Sequence, residues 1–297
     1  MPGMKKGVCT QGGTNMRVTI RDLKQMKKRG EKIAMITAYD YTAARLVEEA
    51  GMPIILVGDS LGNVMLGYDS TVPVTMDEMV HHIKAVVRGT ERAHIVGDLP
   101  FLSYQAEVAE ALRNAGRLLK EGGCQSVKLE GGRYMADTVY KMVQCGIPVM
   151  GHIGLTPQAV NQLGGYRVQG RTPKAAVEVM EDAKALEEAG AYAIVLETVP
   201  AQLGQLISAR LTIPTIGIGA GVHCDGQVQV FHDLLGLFSD FTPKHARKYA
   251  DLADTIRSAV SDYVSDVGEG SFPTDEQSFL MKPEAIDELT GRHAELA

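Results

Sequence analysis

Ile54-Ile55-Leu56-Val57-Gly58-Asp59-Ser60 is the stretch on which the fold turns. Four consecutive apolar residues, with Ile54, Ile55 and Val57 β-branched, suit a short strand covered on both faces, as in a parallel sheet. The run stops at a glycine, a carboxylate and a hydroxyl. Alone, that ending is ordinary turn chemistry. Repetition changes its weight. Comparable apolar runs lie at 33–39, 94–98, 126–130, 148–152, 191–196, 214–218 and 227–231, and several end at a charged or imidazole group.

Helical signals fill the intervals. Thr19 is placed to cap a helix whose Ile20, Leu23 and Met26 share one face and which ends at Gly30. A helix over 42–50 stops at Gly51, and Thr75-Met76-Asp77-Glu78 is a capping box opening a helix to about 88. Further helices are predicted over 104–121, 135–144, 172–189 (Thr172 as cap, Pro173 at the first position) and roughly 243–265. Two aperiodic, glycine-bearing segments, 61–74 and 154–171, are too long for turns and are expected to lie over a functional mouth. Residues 1–16 read as a flexible N-terminal tail. Residues 268–297 read as a C-terminal tail with weak helical character after Pro283.

Eight strand runs alternating with helices, without internal repeat, predict an α/β chain forming a single (β/α)8 TIM-type barrel over 17–267, with the N-terminal helix closing its bottom. A doubly wound open sheet would share the local pattern. A length of 297 residues suits one such barrel. The net charge of -6 argues against nucleic acid as a partner, and no run reaches the ~18 apolar residues of a membrane span. The basic N-terminal stretch has no apolar core of a secretory signal. Cys9, Cys124, Cys145 and Cys224 are scattered without a C-x-x-C pair, which fits free thiols in the cytoplasm.

Barrel strands open at one end, where active sites form. Strand ends two to six bring Asp59 with Ser60, Asp98, Lys128 with Glu130, His152, and Glu197 to that mouth. Lys128 and Glu130 are two apart on a strand, so their side chains point the same way, the lysine one layer beneath. Asp59, Asp98 and Glu130 would repel one another unless a cation balanced them, and oxygen-only ligands select Mg²⁺. Adjacent His81 and His82 would point apart on a helix and offer no zinc site. An ion held this way with open positions suits a 2-oxo acid, whose enolate it would stabilise after loss of the β-proton. Glu197, on a separate strand, is the carboxylate left over to act as base. Lys128 can neutralise the substrate carboxylate or the enolate oxygen, and the Ser60 hydroxyl or amide can bind the carboxylate. A Schiff-base role for Lys128 is the competing reading, disfavoured by its acidic neighbour. Gly217-Ile218-Gly219-Ala220-Gly221 lacks dinucleotide spacing; after strand seven it suits a tight turn better than the alternative, a phosphate site.

These residues also stand in an order that resembles a known family. Thr37-Ala-Tyr-Asp-Tyr41, Val57-Gly-Asp-Ser-Leu-Gly62, Asp98-Leu-Pro-Phe101, Val127-Lys-Leu-Glu-Gly-Gly132, Gly151-His-Ile-Gly-Leu-Thr-Pro-Gln158, Gly164-Gly-Tyr-Arg-Val-Gln-Gly170 and the 217–221 run resemble the ketopantoate (3-methyl-2-oxobutanoate) hydroxymethyltransferases. The resemblance runs from about Thr19 to Pro273. It implies a TIM-type barrel, Mg²⁺, and 5,10-methylenetetrahydrofolate as one-carbon donor to 3-methyl-2-oxobutanoate, giving 2-dehydropantoate for pantothenate synthesis. By the same resemblance Asp59, Asp98 and Glu130 match the metal set. Asp59, Ser60, Asp98 and Lys128 match the 2-oxo acid contacts, Glu197 matches the proton acceptor, and His152 supports by a hydrogen bond. A homo-oligomer, a cyclic decamer, is implied as well. The chain departs from the family pattern at Gln277-Ser278-Phe279, where the family often has His-Ser-Phe, and in its two terminal extensions. A Mg²⁺-dependent carbon–carbon lyase of the phosphoenolpyruvate mutase kind is the nearest alternative. It would draw a lid residue from 61–74, which carries Ser70 and Thr71 but no cysteine.

Overall fold

Eight parallel strands pair in sequence order, and the last closes onto the first, so the sheet is a barrel without edges. They are β1 (Ile33–Thr37), β2 (Ile54–Val57), β3 (His94–Asp98), β4 (Ser126–Glu130), β5 (Val149–Gly154), β6 (Ala193–Glu197), β7 (Thr215–Ile218) and β8 (Gly226–Gln229). The computed structural model describes residues 16–238 and 243–293; the sequence-based reading of a flexible tail falls almost wholly outside them. Helices α1 (Ile20–Lys28), α2 (Tyr41–Glu49), α3 (Leu61–Val64), α4 (Met76–Arg88), α5 (Val108–Arg117), α6 (Ala136–Gln144), α7 (Val160–Leu163), α8 (Pro173–Glu188), α9 (Ala201–Arg210), α10 (Phe231–Leu235), α11 (Leu252–Glu269) and α12 (Pro283–His293) complete it. Among the described residues, no helix is long and apolar enough to cross a membrane.

The period of two along each strand sorts side chains into two cores. Ile55, Val57, Val127, Leu129 and Val149 point outward and pack with the helices. Ile54, Leu56, Val96, Met150, Val195 and Ile216 point inward and fill the lower barrel. Leu23 of α1 joins that inner cluster at 1% exposure, with Val18, Ile20 and Met26 against it, so α1 closes the bottom. Lys27 pins the plug by donating to the carbonyls of Ser208 and Ile213 and to Asp225 at 2.8 Å. Above it runs a short polar chain. His94 Nδ1 meets the Val18 carbonyl at 3.0 Å, its Nε2 meets Ser126 Oγ at 2.8 Å, and Ser126 meets the Tyr192 hydroxyl at 2.9 Å. Burial pushes His94 down to about 4, so the ring is neutral and donates from Nδ1.

The caps at Thr19, Thr75 and Thr172 form, the first two as full capping boxes. Elsewhere tertiary contacts override the local pattern. The 104–121 helix starts only at Val108, because Tyr104 is drawn inward to the site, and its last turn widens at Leu118–Gly122. The segment 61–74 opens with α3, and 154–171 contains a 3₁₀ turn, Pro157–Ala159, running into α7. Phe231 leaves the eighth strand to begin α10, its N–H taken by Thr37 Oγ1 at 2.9 Å. α9 between β6 and β7 is a helix not among those expected from the sequence. In the 243–265 region the helix starts only at Leu252, and it runs on to Glu269, leaving 243–251 irregular at the barrel mouth. Past Pro283 the chain forms a helix rather than a weak tendency toward one.

Candidate active site

The inward parity that fills the barrel bottom also sets the top. On β4, Ser126, Lys128 and Glu130 stack upward on one face; in register beside them stand Asp98, paired with Lys128, and His152, paired with Glu130. Glu197 pairs with Gly154 one strand further round. The backbones there approach so closely that a Cβ on Gly154 (φ +91°) would lie 2.3 Å from the Glu197 carbonyl oxygen. Thr198, next to Glu197, holds a left-handed φ of 48°, fixed by hydrogen bonds from its amide to Ile218 and to its carbonyl from Gln169.

The Lys128 ammonium lies 2.9 Å from Asp98 Oδ1 and 4.0 Å from Glu130 Oε1, with all three side chains at most 5% exposed. His152 Nδ1 is 3.4 Å from Glu130 Oε1 and 3.2 Å from Lys128 Nζ, while its Nε2 is 3.2 Å from Glu197 Oε2. Nδ1 cannot both accept from Lys128 and donate to Glu130. Burial and the Lys128 charge oppose protonation of the ring, but Glu130 and Glu197 outweigh them and raise it to about 9. The imidazolium therefore bridges the two glutamates. Asp59 donates its amide to Asp98 Oδ2 at 3.2 Å and accepts from Gln158 Nε2 at 2.8 Å. Ser60 Oγ is shared with the Tyr39 hydroxyl at 2.8 Å, so of its two groups the hydroxyl already has a protein partner.

Charge is out of balance here. Burial first, then the repulsion of Asp98 and Glu130, holds Asp59 well above the carboxylate range. Asp98 is also raised by burial despite Lys128. Glu130 is the exception. Burial would raise it, but the hydrogen bond and charge of His152, with Lys128 and the Gln158 amide, bring it below its usual value. Lys128 is held above its ordinary value because the three acids outweigh its burial. Asp98 Oδ1 and His152 Nε2 are buried without an aligned hydrogen bond, although both lie at ion-pair distance; they are held by charge rather than direction. An added cation beside Asp59 and Asp98 would relieve both raised acids. Among the described residues no three His, Cys, Asp or Glu side chains are placed to hold one metal ion together, so the expected trio of Asp59, Asp98 and Glu130 does not converge as a set. Two carboxylates with water and substrate oxygens are the usual Mg²⁺ pattern, so the donor set fits.

Gln158 went unnoticed in the sequence as a functional side chain. It is 3% exposed, and it joins Asp59, the Leu99 carbonyl, the Tyr104 hydroxyl and Glu130 in one network. Its only sequence trace is its position after Thr156-Pro157, which gives the turn but not the inward direction. Asp40 shows the converse. It ends β1 as Asp59 ends β2, yet it caps α2 through the Ala43 amide at 2.8 Å and takes no part in the cluster.

Residues 17–275 match the sequence model of a family described as ketopantoate hydroxymethyltransferase. The chain belongs to that family. It is 60% identical over 274 residues to a 3-methyl-2-oxobutanoate hydroxymethyltransferase of Dehalococcoides mccartyi, covering 92% of this chain and 97% of that one. An enzyme of the same name from Chloroflexus aurantiacus is 60% identical over 276 residues, covering 93% and 98%. Among solved structures, a phosphonopyruvate hydrolase superposes with a TM-score of 0.60 at 12% identity, over 94% of this chain and 97% of that chain. A 2,3-dimethylmalate lyase of the PEP mutase/isocitrate lyase superfamily gives 0.56 at 14% identity, over 95% and 100%. At such identities these two share the fold alone.

Proposed function

We propose that this chain transfers a hydroxymethyl group from 5,10-methylenetetrahydrofolate to 3-methyl-2-oxobutanoate, giving 2-dehydropantoate on the route to pantothenate and coenzyme A. Identity of 60% across nearly the whole of relatives bearing that activity's name carries the reading. The cluster of two raised aspartates beside a buried ammonium supports it. Asp59 and Asp98 would hold Mg²⁺, with Glu130, engaged by His152 and the Gln158 amide, adding its charge nearby. When bound, the ion supplies a Lewis acid for the keto oxygen. Lys128 and the His152 imidazolium would balance negative charge developing on the substrate, and the Ser60 amide would bind its carboxylate. Glu197 accepts the C3 proton. The freed carbon would then bond to the donor's methylene as one of its two C–N bonds breaks. Water would displace the second nitrogen and supply the hydroxyl oxygen. The two nitrogens would take up the C3 proton and one proton of water as tetrahydrofolate leaves.

The direct test is formation of 2-dehydropantoate, followed by mass spectrometry. Chelation should lower it at least ~100-fold and Mg²⁺ should restore it. Consumption of the keto acid without folate would favour the lyase reading instead.

We propose further that the protein is a homo-oligomer, a decamer by family resemblance. Ile256, Val260, Val264 and Val267 form a stripe at helical spacing on α11, each about half exposed or more, and α11 buries no residue against its own barrel. Sedimentation velocity should show a species of about ten protomers, and Val260→Glu with Val264→Glu should shift it to smaller ones. A wild-type monomer at micromolar concentration sinks this reading. Free Cys124, Cys145 and Cys224 support a reducing, cytoplasmic setting.

A further inference from the structure

The cavity over the carboxylate cluster has a volume of about 730 Å³, a size suited to a large organic ligand rather than a five-carbon acid alone. The acids, Lys128 and His152 occupy its β2–β5 wall. The opposite wall, built where β7 and β8 end and by the chain after α10, is mostly apolar: Ile218, Val230, Phe238 and Pro243. Asp233 on α10 interrupts it. The residue is 8% exposed and lines the cavity, and among the described residues its carboxylate makes no hydrogen bond or ion pair. Burial pushes it up to about 6, with no partner among the described residues acting on it. A carboxylate serving the helix start would cap it or stand in water, and α10 has no side-chain cap. A desolvated acid with its lone pairs open into an apolar slot is costly unless a ligand supplies the donors.

We propose that Asp233 anchors the one-carbon donor, accepting the two side-by-side N–H groups on the 2-amino-4-oxopyrimidine edge of a reduced pterin. This rests on the folate-dependent reading above. Few small-molecule groups present parallel donors on a flat apolar ring, and a carboxylate matches that pair as it matches a guanidinium. Val230, Phe238 and Pro243 supply the flanking apolar surface. Lys244, exposed at the cavity rim, suits the acidic tail such a ligand carries at its other end.

Isothermal titration of tetrahydrofolate against its 2-desamino-2-methyl analogue tests the pairing. Wild-type protein should prefer tetrahydrofolate by roughly 10- to 100-fold, the range for losing a hydrogen bond to a charged group. In Asp233→Ala the preference should collapse to within about two-fold, because both ligands lose the ring N–H contact alike and only tetrahydrofolate loses the additional bond from its 2-amino group. A merely structural role would weaken both ligands alike and leave the ratio intact. That result overturns the proposal, as does a wild-type ratio near one with tight tetrahydrofolate binding; either leaves the folate reading standing. Wild-type protein that exchanges the C3 hydrogen of the keto acid with solvent but binds neither pterin refutes the folate reading and takes this inference with it.

Discussion

Glu197→Gln should lower solvent deuterium exchange into C3 of 3-methyl-2-oxobutanoate by roughly 10²- to 10⁴-fold, the usual worth of a positioned base. The expectation comes from separation of duties across the mouth. Asp59, Asp98 and Glu130 crowd the β2–β4 side, where burial and repulsion raise Asp59 and burial raises Asp98, while His152 and Lys128 hold Glu130 down. Glu197 stands apart on β6, bound to the rest through His152 Nε2 at 3.2 Å, and its side chain keeps 14% exposure into the cavity. Glutamine preserves shape and a donor–acceptor head but cannot take the proton. The substitution also removes one of the two carboxylates flanking His152. Keto acid affinity should therefore be measured alongside, so that a binding defect is separated from a proton-transfer defect. Exchange within about ten-fold of wild type would place the base elsewhere.

The second large effect is on folding. Lys128→Met should destabilise the ion-free protein by about 3–5 kcal/mol, the usual result of breaking a buried ion pair from one side. Methionine fills most of the volume, so the loss is mainly electrostatic. Asp98 and Glu130 lose the ammonium at 2.9 and 4.0 Å. The pH dependence follows in sign. Asp59 and Asp98 already have raised folded-state pKa values, and removing the cation raises them further. A group raised on folding stabilises the native state as pH falls, so the penalty should be largest near pH 8 and shrink toward pH 5. Urea titrations of both proteins at the two pH values read this directly. Equal midpoints at pH 8 would show that the carboxylates are not held by Lys128.

Much of this architecture is legible without coordinates. The 54–57 and 126–130 runs need no partner to announce strands, because a strand buried on both faces must be apolar almost throughout. The spacing of Lys128 and Glu130 fixes them on one side of β4 by covalent geometry alone. Thr19, Thr75 and Thr172 mark helix starts through bonds to amides three residues away, and all three form. The same local logic fails where distant groups compete. Tyr104 gives up helix for the hydroxyl contact with Gln158, and the irregular 243–251 segment brings Pro243, Lys244 and His245 to the mouth.

Residue types, strand parity and helix caps were therefore set by the sequence itself, since each depends on neighbours within about one turn or one pleat. Which acids meet was not. Asp40 and Asp59 both follow an apolar strand, and only barrel closure sends one to a helix cap and the other against Asp98. Gln158 beneath Asp59, the imidazolium bridge between Glu130 and Glu197, and Asp233 facing the cavity all depend on residues tens to hundreds of positions apart. Their positions come from the stagger of eight strands around a closed ring, which only the tertiary structure supplies.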